Sequence, residues 1–230
     1  LEKVDWIYVI VPLALLGTFW VIAAFAGQWP WQSNPYNSYA LQTDSWLKGR
    51  LDLGQNYEWL ELAIYQGKYF VSFPPFPSYV LIPFVVLFGT NTPDHFIALA
   101  VTIIGCIYAV KLYREASAEK QHSLFWVLML YFASGYLFVG MNGYVWFIAQ
   151  SMSFTLSLMA LYYTLRNKGG LALTFWACAV GCRPMLALYG ILLGYLLVKG
   201  YKKENPKGTV WQLVKDKWYW AIGCGAIAIS

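Results

Sequence analysis

Charge is what this chain has least of. Only 12% of its 230 residues are Asp, Glu, Lys or Arg, against roughly 25% in a soluble domain. Residues 123–165 contain none. With 59% hydrophobic residues and a mean hydropathy of +0.49, this excludes an ordinary soluble domain and points to a membrane protein. Histidine occurs twice and cysteine four times. Cys106, Cys178, Cys182 and Cys224 all lie in apolar runs, which argues against a disulfide framework and a zinc site. Cys178 and Cys182, one helical turn apart, read as small packing residues. The phosphate-cradling GxxxxGK[ST], the dinucleotide GxGxxG and the metalloprotease HExxH are all missing. The net charge of +5 does not call for nucleic acid, because the placement of the cations explains it.

Residues 6–26 form a first span, too long for the apolar part of a signal peptide. Lys3 precedes it, so the N-terminus is expected in the cytoplasm and residues 28–94 outside. The run 76–89 is too short to cross a core of about 30 Å and reads as an interfacial helix. Residues 95–110 then return inward, placing Lys111, Arg114 and Lys120 in the cytoplasm. The uncharged stretch 123–165 is expected to be two helices broken at Gly140-Met-Asn-Gly143. Residues 171–198 have basic residues at both flanks, which predicts a re-entrant pair turning near Arg183-Pro184. A last span is expected to start near Trp218. The chain opens on Leu1 and ends inside an apolar run, so it is expected to be the N-terminal part of a longer protein with one transmembrane domain over 1–230.

The polar stretch between the first two apolar runs is where chemistry is expected. It carries Asp44, Asp52, Glu58 and Glu61 beside Lys48, Arg50 and Lys68. Asn34 suits a helix N-cap, Pro35 the first helical position and Gly49 the stop. On such a helix Asn37, Asp44 and Lys48 share one face. The plain alternative is a surface helix with a solvated acid. Residues 63–75 read as a short hairpin around Gln66-Gly67, with Lys68 and Tyr69 beside it. Lys68 suits a lipid phosphate, or a snorkelling anchor. Arg183 lies at membrane depth, where a charge costs on the order of 3 kcal/mol, so it is expected to face a cavity. Its guanidinium suits phosphate, although capping of free carbonyls is the structural alternative. Trp146 and Gln150 fall on one face of the next helix. Trp146 can be a belt aromatic, whereas an amide inside a span needs a partner.

Several of these stretches together resemble the GT-C superfamily of polytopic membrane glycosyltransferases. They are the acid-bearing helix after the first span, Lys-Gly-Arg-Leu-Asp-Leu at 48–53, Tyr-Gln-Gly-Lys-Tyr-Phe-Val-Ser-Phe-Pro-Pro at 65–75, and the short helix ending Leu-Phe-Gly at 87–89. Trp146, Gln150 and Arg183-Pro184 also look like that group, which includes protein mannosyltransferases and aminoarabinose transferases. The resemblance implies an all-α polytopic bundle with a long first extracytoplasmic loop carrying interfacial helices. It implies a polyprenyl-phosphate sugar as donor and an acid in that loop acting as base or metal ligand, which by position is Asp44. Arg183, Lys68, Tyr69, Asn37, Trp146 and Gln150 are then the candidate substrate and lipid-phosphate ligands. No cofactor is required by these residues themselves; a divalent metal is what the resemblance allows. Many members carry paired acids where Asp44 is followed by Ser45 and Trp46. The implied setting is a bacterial-type inner membrane.

Two other functions fit the same residues: a transporter or flippase of lipid-linked sugars, and a non-catalytic membrane scaffold. The topology is checked by cysteine labelling from outside at positions 121 and 142. Position 142 is expected to react and position 121 to be protected; the reverse pattern contradicts the topology.

Overall fold

The computed structural model describes residues 6–27, 29–209, 212 and 225. The span expected near Trp218 and Cys224 lie outside the described residues. The chain is a helical membrane protein. Four helical segments are long and apolar enough to cross a bilayer: Ile7–Ala26, Asp94–Ala116, Val145–Leu165 and Pro184–Glu204.

Helix α1, Ile7–Ala26, is 20 residues long, about 30 Å at 1.5 Å per residue. Its buried residues are Ile7, Val11, Leu15, Phe19 and Ala23, a strict four-residue spacing that makes one stripe. Phe25, Leu13 and Val21 on the other sides are exposed, as expected of a helix solvated by lipid. Helix α2, Ser38–Leu47, is the short helix of the polar loop. Strands β1, Leu62–Tyr65, and β2, Lys68–Val71, pair antiparallel with Tyr65 opposite Lys68. Gln66 and Gly67 both have positive φ, 49° and 71°, the geometry of the tight turn that matches strand twist. Helix α3, Phe76–Phe88, has 13 residues, about 20 Å, which agrees with the expectation that it is too short to span.

Helices α4, Asp94–Ala116, and α7, Val145–Leu165, form the central pair. Between them come α5, Ser123–Phe132, and α6, Tyr136–Gly140. The sequence predicts one helix here; the structure breaks it at Ala133–Gly135. Ser134 explains the break, since its Oγ donates to Leu130 O at 2.6 Å and accepts from Tyr136 N at 3.1 Å. That replaces helical backbone bonds by side-chain ones. Helix α8, Gly169–Cys182, ends at Arg183, and a 3-10 turn, Pro184–Leu188, leads into α9, Tyr189–Glu204. The turn is where the sequence predicts it. The second arm is longer than expected, however, because the 3-10 turn and α9 run on as one segment of spanning length.

Apolar helices gain little from leaving lipid for one another, so close approach and buried polar contacts must hold the bundle. The central pair uses both. Thr155 Oγ1 donates to Val101 O at 3.1 Å, Thr102 Oγ1 donates to Gly140 O at 2.8 Å, and the Tyr108 and Tyr163 hydroxyls meet at 3.0 Å. A core of Tyr39, Leu81, Ile97, Ile148, Met152 and Cys182 joins this pair to α2, α3 and α8.

A methyl group at Gly105 would press on Thr155 Oγ1 and lie 2.9 Å from Tyr131 OH, whereas one at Gly17 meets nothing within 4 Å. Gly105→Ala is therefore expected to lower stability by about 1–3 kcal/mol, the usual overpacking cost. Gly17→Ala is expected to be neutral or slightly stabilising. Thermal unfolding of the two variants checks the central crossing.

Candidate functional site

The loop hangs from a buried polar cluster at the start of α4. Asn34 does not cap α2, contrary to the sequence-based expectation. It is 5% exposed, and its Nδ2 donates to Asp94 Oδ2 at 2.7 Å and to Gly143 O at 3.2 Å. With that side chain engaged, the chain bends at Pro35 without starting a helix, and Tyr36 O accepts from Val145 N at 3.1 Å. Helix α2 then starts at Ser38 with Asn37 at the N-cap position. Asn37 makes no side-chain cap bond; its Nδ2 donates to Thr90 O at 2.9 Å and ties α2 to the end of α3.

Asp44 faces a polar pocket of about 270 Å³ lined also by Lys48, Arg50, Gln55 and Tyr57. Lys48 Nζ lies 2.6 Å from Asp44 Oδ2, one turn along α2. An exposed pair at this spacing contributes only about 0.3–0.5 kcal/mol, so it orients the carboxylate more than it stabilises the fold. The far wall is tied to the hairpin. Leu53 N donates to Tyr69 O at 2.8 Å, and Lys68 Nζ lies 3.7 Å from Asp52 Oδ2. Asp52 Oδ1 in turn accepts from Gly54 N at 2.9 Å. Lys68 and Tyr69 thus support the Asp44 pocket from behind.

Arg183 belongs to a second group. Its Nη2 donates to Trp146 O at 2.5 Å, and its buried Nε has no hydrogen-bond partner among the described residues. The indole Nε1 of Trp146 donates to Glu61 Oε2 at 3.3 Å. The Trp146 ring packs on Tyr36 at 5.4 Å, and Tyr36 packs on Tyr144 at the same distance. The buried phenol of Tyr39 has its pKa pushed up by desolvation and by the neighbouring Cys182 thiol, and the nearby Arg183 charge partly opposes this. Cys182, next to Arg183 in the chain, shares a buried core with Tyr39 of α2.

Of the residues singled out from sequence, Arg183 and Trp146 meet directly, Asp44 pairs with Lys48, and Lys68 and Tyr69 join the Asp44 pocket indirectly, through Asp52 and Leu53. No contact joins Asp44 to Arg183 among the described residues. Tyr39 packs in the core that includes Cys182, next to Arg183, and Asp44, five residues on, points about 140° away around α2. Gln150 is exposed and lines a different cavity, of about 660 Å³, with Ser153, Ser157, Tyr136 and Tyr189. The sequence reading missed Glu61 as the carboxylate joined to the Arg183 group. Its contact to Trp146 spans 85 positions, and no local pattern announces it. It also passed over Asp94. The signal was present, an acid at the head of an apolar span.

The donor set beside Asp44 does not suit a divalent metal. Two cations line its pocket, one bound to it, and no three His, Cys, Asp or Glu gather among the described residues.

Trp146→Phe keeps the ring and the carbonyl that Arg183 uses but removes the bond to Glu61. It is expected to cost about 0.5–1.5 kcal/mol in unfolding free energy, and chemical denaturation reads this. Comparison of the chain with protein-family models, with curated proteins and with solved structures finds no match.

Proposed function

We propose that the protein is an inverting glycosyltransferase of the GT-C type, moving a sugar from a polyprenyl-phosphate donor to an acceptor hydroxyl on the extracytoplasmic face. The observation that carries this reading is the pairing of two chemistries on opposite sides of one short helix. Asp44 opens to a polar pocket on one side of α2, and Arg183 follows Cys182 of the core on the other, with a buried Nε that no described residue engages. The chain carries four segments of spanning length besides α2, so a lipid tail can stay in the bilayer while its head group reaches the loop.

In this reading Asp44, released from Lys48, takes the proton of the acceptor hydroxyl. The acceptor oxygen attacks the anomeric carbon from the face opposite the phosphate. The bond from that carbon to the phosphate oxygen breaks, and its electron pair leaves with the polyprenyl phosphate. Arg183 meets the developing phosphate charge, and Trp146 fixes the guanidinium through its carbonyl; Lys68, paired with Asp52, braces the Asp44 side. Asn37, bonded to Thr90, and Tyr69, bonded to Leu53, hold α2 and the hairpin in place around this step. The step needs no metal beside Asp44.

A second reading, a flippase of lipid-linked sugars, draws support from the cavity along α7. Gln150, Ser153 and Ser157 recur there at helical spacing beside α9.

Asp44→Asn keeps size and hydrogen bonding without basicity. Turnover is expected to fall by roughly 10²–10⁴ with donor affinity retained. Arg183→Ala is expected to weaken the donor by about 2–3 kcal/mol, roughly thirty- to hundredfold. Near-normal turnover of folded Asp44→Asn rules out the base role. Loss of melting temperature in Arg183→Ala with donor Kd unchanged makes Arg183 a structural residue.

A further inference from the structure

The cluster that anchors the loop has more oxygen than its hydrogen bonds use. Asp94 is 2% exposed and Asn34 5% exposed. Asn34 Nδ2 satisfies Asp94 Oδ2. Asn34 Oδ1, Asp94 Oδ1 and Asn142 Oδ1 are each buried with no hydrogen-bond partner among the described residues. They come from three separate segments: the chain before α2, the first turn of α4, and the turn between α6 and α7. These segments converge at Gly143. A methyl group at Gly143 would fall 2.5 Å from His95 N and 2.8 Å from Asp94 Cβ, so only glycine lets the α6–α7 turn come this close.

The charge balance is as incomplete as the hydrogen bonding. None of the ion pairs among the described residues includes Asp94. His95 is beside it, but His95 Nδ1 accepts from Gly143 N at 3.1 Å and therefore carries no proton there. The ring is a neutral imidazole and does not balance the carboxylate. The start of α4 offers the partial positive charge of a helix N-terminus, about half a unit. A sealed carboxyl group in this position either keeps its proton or exchanges it for a cation.

We propose that Asn34, Asp94 and Asn142 form a binding site for a hard monovalent cation of the sodium class at the N-terminal end of α4. One carboxylate and two amide oxygens are the donor type that hard cations take. The occupied His95 nitrogen and the absence of thiolates from the cluster disfavour softer metals. A monovalent ion that takes the place of the carboxyl proton leaves the buried charge unchanged, whereas a divalent ion would add an excess charge beside the positive end of α4. The bound ion would tie the loop to both central helices, so its effect is on the stability of the loop anchor. This site is separate from Asp44 and Arg183, and it stands or falls independently of the glycosyltransferase reading.

The test is thermal unfolding of the purified protein in detergent, after chelation, with NaCl replacing choline chloride at constant ionic strength. KCl, CaCl₂ and MgCl₂ are run in parallel. Sodium is expected to raise the melting temperature saturably, by mass action on the folded state. Asn142→Ala keeps the Asn34–Asp94 bond and is expected to shift the half-maximal sodium concentration up by roughly tenfold or more, the scale on which lost metal-shell partners act. Asp94→Asn is expected to abolish the response. If sodium has no effect beyond choline, or acts equally on wild type and Asn142→Ala, the proposal is overturned. A response to calcium or magnesium without one to sodium overturns the monovalent assignment.

Discussion

The arrangement depends on one buried carboxylate. Asp94 sits at the head of α4, almost wholly removed from solvent, and receives the amide of Asn34 from a point 60 residues earlier. A buried polar group without a partner costs on the order of 1–3 kcal/mol, so neither side chain can easily let go. The bond fixes where the chain leaves the first span. It also sets Tyr36 against the first turn of α7 through the bond from Val145 N. Everything in the loop is positioned from there: α2 by Asn37 on Thr90, α3 by Thr43 and Ser78, and the hairpin by Leu53 on Tyr69.

The consequence is a loop held as firmly as the helices beneath it. Thr43 Oγ1 lies 2.8 Å from both Tyr39 O and Ser78 O, with its one proton available to either, and Ser78 Oγ donates to Gln42 Oε1 at 2.7 Å. Small hydroxyl residues thus join α2 to α3 where apolar contact alone would leave them free to slide. Arg183 is held by the Trp146 carbonyl of α7, while Asp44 on α2 opens to a separate polar pocket. A lipid-linked substrate with a polar head and an apolar tail has the matching polarity.

Local signals were legible in the sequence. The hairpin follows from Gln66-Gly67, the short α3 from its length between prolines, and the turn at Arg183 from Pro184 and the basic flanks. These are short-range consequences of backbone chemistry and hydropathy. What was not legible depends on tertiary partners. Asn34 has every property of a cap, but Asp94 takes its side chain, and the helix begins four residues later. The helix break at Ala133–Gly135 rests on the Ser134 hydroxyl choosing the backbone over lipid. Asp44 stood out by its place in the polar loop and by the family resemblance, and Arg183 by its charge inside an apolar stretch. Their placement on different sides of α2 required the packing of Tyr39, and the link from Glu61 to Trp146 required the fold itself.

The central claim is that a sugar leaves its lipid carrier at this loop. It is tested most directly by reconstituting the protein in liposomes, adding polyprenyl-phosphate sugars, and following both free polyprenyl phosphate and the side of the bilayer on which the donor resides. The account predicts release of polyprenyl phosphate that depends on protein and increases with an acceptor hydroxyl. Movement of intact donor across the bilayer with no loss of sugar would contradict it and favour the flippase.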